Sequence, residues 1–163
     1  MAAQMSENQQ LQNYDGGQGE KGWLFPYPPS RKPELIPPIA LAYIGDAVYE
    51  VAVRQYLLSK SNLRPNHLHQ NATSFVSAKA QSRILSYIEE ELLPAEADIV
   101  RQGRNAKSNV PKNADVLEYR HATAFECLIG YLYTSGYQER LRELIVLGIQ
   151  RMEQAKKDGK AQK

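Results

Sequence analysis

The chain is poor in the features that settle a protein's class at a glance. It has one cysteine, Cys127, in 163 residues, which excludes an internal disulfide and agrees with a reducing compartment. It has no run of about eighteen uncharged apolar residues that could span a bilayer, and its opening, MAAQMSENQQLQNYDGG, lacks the basic-then-apolar order of a signal peptide. A cytoplasmic protein with no membrane partner is the expectation. Neither charge sign dominates: 20 basic against 18 acidic residues leave a formal +2, so a nucleic-acid partner has to be argued from local charge. Strand-like alternation is nowhere sustained, and no segment repeats.

What is present is apolar residue enough for one core, 42% of the chain, and therefore one domain of ordinary size. Composition divides the chain in three. Residues 1–34 are rich in Gln, Asn, Gly and Pro, too polar to offset the entropy of ordering, and are expected to form a mobile arm. The aromatic patch WLFPYPP, with Trp23, Phe25 and Tyr27, is the exception and reads as a loosely tethered element. Residues 35–152 carry the domain. Residues 153–163, with KKDGKAQK at their end, read as a frayed basic tail.

Between the tails the apolar period is helical. Pro37 and Pro38 suit the first turn of a helix, where a missing N–H costs nothing, and the spacing predicts that helix from Ile39 to about Ser59. It is apolar on nearly every side, which places it in the middle of a bundle. A short helix is expected after Pro65 and a longer one from about Ala72 to Glu91, stopped by Pro94. There follow a short helix over residues 95–103, a polar connection from Arg104 to Asp115, and a second strongly apolar helix from Val116 to Thr134. Beyond Gly136 an amphipathic helix runs from Gln138 to about Ala155. The fold class is all-α, a helical bundle.

The apolar stretch Ile39 to Val53 holds Asp46, with only Glu50 beside it. An ionised carboxylate in apolar surroundings is costly unless it pairs with a cation or binds a metal. The second apolar helix carries Glu126 four residues before Gly130, as the first carries Asp46 beside Gly45. Glycine lets helix backbones approach closely, so packing these helices together would bring Asp46 and Glu126 to one place, with Glu50 on roughly the face of Asp46. Converging carboxylates raise each other's pKa unless a cation lies between them, and oxygen-only ligands favour Mg2+ or Mn2+. Spacing alone leaves a plainer alternative open, in which Asp46 pairs with Arg54, Arg120 or His121 or caps a backbone.

The stretch IALAYIGDAVYEVAVRQYLL, residues 39–58, resembles the signature helix of the ribonuclease III catalytic domain. Together with GRNAKSNVPKNADVLEYRHATAFECLIGYLY, residues 103–133, it resembles most the short bacterial form, the Mini-ribonuclease 3 family. The resemblance covers about residues 35 to 150. It implies the ribonuclease III endonuclease-domain helical bundle, a homodimer, and Mg2+-dependent cleavage of double-stranded RNA to 5′-phosphate and 3′-hydroxyl ends, with Mn2+ as a substitute metal. In the short form it further implies maturation of precursor 23S ribosomal RNA. Asp46 matches the signature aspartate and Glu126 the glutamate of the second helix, both as catalytic metal ligands. Two further acidic positions of full-length ribonuclease III fall on Ala42 and Thr123, a thinner site that the short form shares. Glu50, Thr123 and Tyr49 are left as candidates to support the ligands from behind.

No residues remain after about 155 for a separate double-stranded-RNA-binding domain, so the substrate is expected to be held elsewhere. The segment Ile99 to Ala114 carries Arg101, Arg104, Lys107 and Lys112 and no acid, a pattern able to follow a phosphate backbone, although by itself it is equally a solvated charged loop. Other signals are weaker. Glu118 and His121 make half of a di-iron ExxH motif without its second copy, and Cys127 reads as a small core residue rather than a nucleophile. Two competing functions follow: an RNA-binding scaffold of the same fold without catalysis, motivated by Ala42 and Thr123, and a helical metal-binding oxidoreductase, motivated by Glu118 and His121.

Overall fold

The computed structural model describes residues 23–107 and 109–161. Among the described residues six helices make an all-α domain: α1 Pro38–Leu58, α2 Pro65–Val76, α3 Ala78–Ile88, α4 Pro94–Asn105, α5 Val116–Thr134 and α6 Gln138–Ala161, with short 3-10 turns at Pro33–Leu35 and Glu89–Glu91. The centre is α5. Six consecutive residues, Cys127 to Leu132, are buried, which a helix shows only when it is covered on every side, and α1, α3, α4 and α6 all pack against it.

The boundaries follow local chemistry. Asp115 caps α5, its Oδ1 accepting from the Glu118 N–H at 3.0 Å. At the other end Gly136 takes φ 73°, the Tyr137 N–H reaches the Leu132 carbonyl at 3.0 Å and the Gly136 N–H reaches Tyr133 at 3.1 Å, a Schellman turn that needs a residue free to enter the left-handed region. The helix expected from Ala72 to Glu91 is instead two: Ser77 is extended, and its hydroxyl accepts from the Ala80 N–H to start α3 afresh. α4 runs to Asn105, beyond the expected residue 103. α6 continues past Ala155 to Ala161, because its Lys, Gln and Ala residues favour helix and no breaker precedes Gly159.

α1 differs from expectation in its surroundings. Leu41, Ala42, Gly45, Tyr49, Val53 and Leu57 are buried, but Ile39, Tyr43, Val51 and Leu58 are exposed, Tyr43 to 83%. The helix is apolar all round, as read, yet it lies at the surface of the chain. Of the arm, Trp23 is tied down, its Nε1–H donating to the Thr134 carbonyl at the end of α5 at 2.7 Å, while Leu24, Phe25 and Tyr27 face solvent. The rest of the expected arm, residues 1–22, lies outside the described residues.

One buried ion pair fastens α4 to α6. Glu96 is 3% exposed, accepts from Arg140 Nε at 2.9 Å and from Arg140 Nη2 at 2.8 Å, and also accepts from the Leu93 N–H at 2.8 Å. Arg140 spends its remaining donors on the Glu91 carbonyl at 2.6 Å and on Glu143 at 3.2 Å. The bonds from Arg140 to Glu96 hold the guanidinium charged beyond its ordinary range. Both oxygens of the buried carboxylate are thereby met by the guanidinium, and Oε1 by a backbone N–H as well, which is what makes such a pair tolerable.

Candidate active site

The crossing of α1 and α5 is set by two glycines. A Cβ on Gly45 would stand 1.8 Å from the Glu126 carbonyl oxygen and 2.8 Å from the Gly130 nitrogen, and one on Gly130 would stand 1.9 Å from the Leu41 carbonyl oxygen. No other residue fits at either place, so the backbones touch there and nowhere is the approach negotiable. Asp46 follows Gly45 directly, and Glu126 is itself the residue Gly45 touches. The two carboxylates therefore share one end of the crossing, near enough for the charge of Asp46 to act on Glu126.

Their environments are unequal, and they reverse the expectation. Asp46 is exposed on α1 rather than sunk in apolar surroundings, because the buried face of that helix is the one through Leu41, Gly45 and Tyr49. Glu126 is the half-buried member, and burial followed by the charge of Asp46 pushes its pKa up from an ordinary 4.5 to about 7. Opposing these, an amide hydrogen bond from Gln81 holds it down. Gln81 lies in the buried stripe of α3 with Ala80, Ile84, Leu85 and Ile88 and is 2% exposed. Sequence reading missed it. The signal was there in the phase, an amide four residues before Leu85 in a stripe otherwise apolar.

The other expected residues are placed as follows. Tyr49 is fully buried, its hydroxyl donating to the Phe75 carbonyl at 2.9 Å and its ring standing edge-on to Phe125 at 4.9 Å, so it belongs to the core beneath the crossing and its hydroxyl is spent. Thr123 donates back to the Tyr119 carbonyl at 3.0 Å within α5. Glu50 pairs with Arg54 at 3.6 Å. His121 meets Ser82 of α3 at 3.5 Å, and among the described residues no group of three or more His, Cys, Asp or Glu is arranged to hold a metal. Cys127 donates its thiol to the Pro38 carbonyl at 2.9 Å, and burial pushes it up to about 12, which removes it as a nucleophile.

A divalent cation fits what remains. Asp46 and Glu126 supply carboxylate oxygens only, the donor class of Mg2+ and Mn2+, and a two-ligand set suits ions that keep several of their waters. The raised pKa of Glu126 is the electrostatic counterpart, because a positive charge beside the pair removes the repulsion that favours its proton.

The basic segment is split between helix and connection. Arg101 and Arg104 lie on α4, not in a loop. Arg101 bonds Asp98 at 2.5 Å, which holds that carboxyl below its usual range, and Arg104 bonds Glu89 at 3.1 Å. Lys107 and Lys112 are exposed in the connection between α4 and α5, and neither makes an ion pair among the described residues.

Known proteins resemble this chain over most of its length. Residues 39–137 match the ribonuclease III domain. A Mini-ribonuclease 3 of Brevibacillus brevis is 50% identical over 117 residues, 71% of this chain and 87% of the relative. One of Streptococcus pneumoniae is 47% identical over 122 residues, 73% of this chain and 95% of the relative. A crystal structure of a Fusobacterium nucleatum protein superposes with a TM-score of 0.66 at 30% identity, covering 74% of this chain and 98% of the other. No helix among the described residues is long and apolar enough to cross a membrane.

Proposed function

Since this chain belongs to the ribonuclease III domain family, we propose that it is a Mg2+-dependent endoribonuclease that cleaves double-stranded RNA as a homodimer in the cytoplasm, Asp46 and Glu126 being the metal ligands. The observation that carries the reading is the glycine crossing, which brings a carboxylate from each of two helices to one place. Precursor 23S ribosomal RNA is the substrate that the resemblance to the short bacterial form implies.

The chemistry follows from which groups are free to act. A cation bound by the two carboxylates would acidify a water and offset charge on the phosphate and the departing 3′ oxygen. No side chain at the crossing is left as a nucleophile: the Cys127 thiol and the Tyr49 and Thr123 hydroxyls are all committed to backbone carbonyls. Water is then the attacking group, and the 5′-phosphate and 3′-hydroxyl ends are the products that the resemblance to the ribonuclease III family implies. Glu126 has to be ionised to serve, which the Gln81 amide and the incoming cation both favour.

Two further features support the reading. The exposed apolar residues Ile39, Tyr43, Val51 and Leu58 follow helical spacing along α1, a stripe that a second copy would cover about a two-fold axis. Lys107 and Lys112, exposed and without ion pairs among the described residues, are available to phosphates. The test incubates duplex RNA with wild type, Asp46→Asn and Glu126→Gln, with and without Mg2+. Cleavage by wild type in Mg2+ alone, lost in both variants, is expected; equal cleavage by all three overturns the assignment, and duplex binding without cutting by wild type returns the scaffold reading.

A further inference from the structure

The sixteen residues that lead into α1, Trp23 to Pro38, hold six of the chain's nine prolines. Proline fixes φ and removes a donor, so such a segment is stiff without forming a helix of its own. It is also fastened. The Trp23 Nε1–H donates to the Thr134 carbonyl at the end of α5 at 2.7 Å, the turn Pro33–Leu35 packs on α5, and Ile36 packs against the core. Between these points the Tyr27 N–H closes on the Phe25 carbonyl at 2.9 Å around Pro26, a tight three-residue turn.

This held segment nevertheless keeps its large apolar side chains in water: Leu24, Phe25, Tyr27 and Leu35 are exposed to 68%, 58%, 82% and 65%. A stiff backbone that presents apolar side chains loses little freedom when they dock, which is the property of a binding element rather than of a slack tether. The stretch from Trp23 to Ser30 contains no charged residue, so its complement is an apolar protein surface and not a phosphate backbone.

We propose that the arm extends the dimer interface: Leu24, Phe25, Tyr27 and Leu35 of one protomer pack on a second copy of the chain, continuing the stripe of Ile39, Tyr43, Val51 and Leu58 on α1. The inference rests on the homodimer reading and goes beyond it, because the arm lies outside residues 39–137, the part that matches the ribonuclease III domain. Continuity favours this occupant. The arm runs directly into the N-terminal end of the stripe, where Cys127 of α5 donates to the Pro38 carbonyl and the Leu41 backbone lies against Gly130. Area favours it as well. Four partly exposed side chains on α1 offer roughly 300–400 Å2 per protomer, less than half of the about 800 Å2 that a stable two-fold interface takes from each partner. The four on the arm offer about as much again, and a two-fold axis counts both stripe and arm on each side.

The experiment uses full-length protein and measures the dimer dissociation constant by sedimentation over a concentration series, with far-ultraviolet circular dichroism to report the fold. Wild type is compared with Leu24→Ser, Phe25→Ser and Tyr27→Ser combined, and with Tyr43→Asp on α1. The three arm positions are exposed, so the helical signal is expected to stay at its wild-type value while dimerisation weakens about tenfold or more. Tyr43→Asp is expected to leave a folded monomer. A wild-type dissociation constant in the arm variant, with the dimer lost in Tyr43→Asp, overturns the role of the arm and leaves the homodimer standing. Wild type that remains monomeric at about 100 μM overturns the homodimer reading and this inference with it, since an interface of standard size holds far below that concentration.

Discussion

Gly45 presses its α-carbon against the backbone carbonyl of Glu126, with room for no Cβ: the added atom would stand 1.8 Å from that oxygen. The contact positions a catalytic candidate by backbone packing rather than by its side chain, since whatever sets the helix crossing sets the distance between Asp46 and Glu126. Gly45→Ala has to push α1 from α5 along their whole length, because the atom it meets is backbone and cannot rotate away. A loss of more than about 3 kcal/mol is expected, beyond ordinary overpacking. Denaturant unfolding followed by far-ultraviolet circular dichroism checks it; a stability within about 1 kcal/mol of wild type would mean that the helices do not cross this closely.

Glu126 makes stability depend on pH in the metal-free protein. Its pKa is raised in the fold, from an ordinary 4.5 to about 7, so the folded state binds the proton more tightly than the unfolded chain does. The favourable contribution is complete below about pH 4.5 and is lost as pH rises through about 7. The full shift corresponds to roughly 3 kcal/mol, which partial solvent contact reduces to about 1–2 kcal/mol. Glu126→Gln should therefore match wild type near pH 4.5 and exceed it by that amount at pH 8 in EDTA. Urea titrations at the two pH values measure this. Adding Mg2+ at pH 8 is expected to raise the stability of wild type and not of the variant.

How far the sequence reached depends on where its signals were local. The ends of α5 were legible because Asp115 and Gly136 are residues whose chemistry acts at once on the neighbouring backbone. The pairing of Asp46 with Glu126 was legible because each glycine sits at a fixed offset from its acid. The break at Ser77 was not, since apolar spacing continues on both sides of it and a serine inside a helical pattern is weak punctuation. The exposure of Asp46 was hidden for a different reason. A helix apolar all round tells nothing of which side its own chain covers, and here Tyr43 and Val51 are left bare. Gln81 was passed over because one amide in an amphipathic helix draws notice only when the helix start is known, and that start was placed too early.

The Arg140–Glu96 pair yields an asymmetric prediction. Glu96 is nearly inaccessible and accepts hydrogen bonds from the Leu93 N–H and from both Nε and Nη2 of Arg140. Arg140→Met strands its charge inside the α4–α6 contact, and a loss of about 3–5 kcal/mol is expected. Removing both, as Arg140→Met with Glu96→Leu, leaves no buried charge and is expected to recover more than half of it. Thermal midpoints of the two variants decide, and equal losses would mean that the pair acts through shape rather than charge.

The basic residues divide by whether their charge is already spoken for. Lys107 and Lys112 make no ion pair among the described residues, so a phosphate that meets either releases a counterion with nothing to break first. Arg101 and Arg104 each have to leave a carboxylate, Asp98 and Glu89, and a cation that trades one anion for another changes the net count little. Affinity for duplex RNA is expected to fall with salt less steeply after Lys107→Ala or Lys112→Ala, each flattening the log–log slope by roughly 0.7–0.9. Arg101→Ala and Arg104→Ala should flatten it by less than half as much, because Asp98 and Glu89 then stand uncompensated and add repulsion instead. Binding titrations in Ca2+ or EDTA over several salt concentrations read the slopes without cleavage. Slopes unchanged in both lysine variants would remove the α4–α5 connection from the RNA surface. Equal flattening in all four would show that the arginines leave their carboxylates when the duplex arrives.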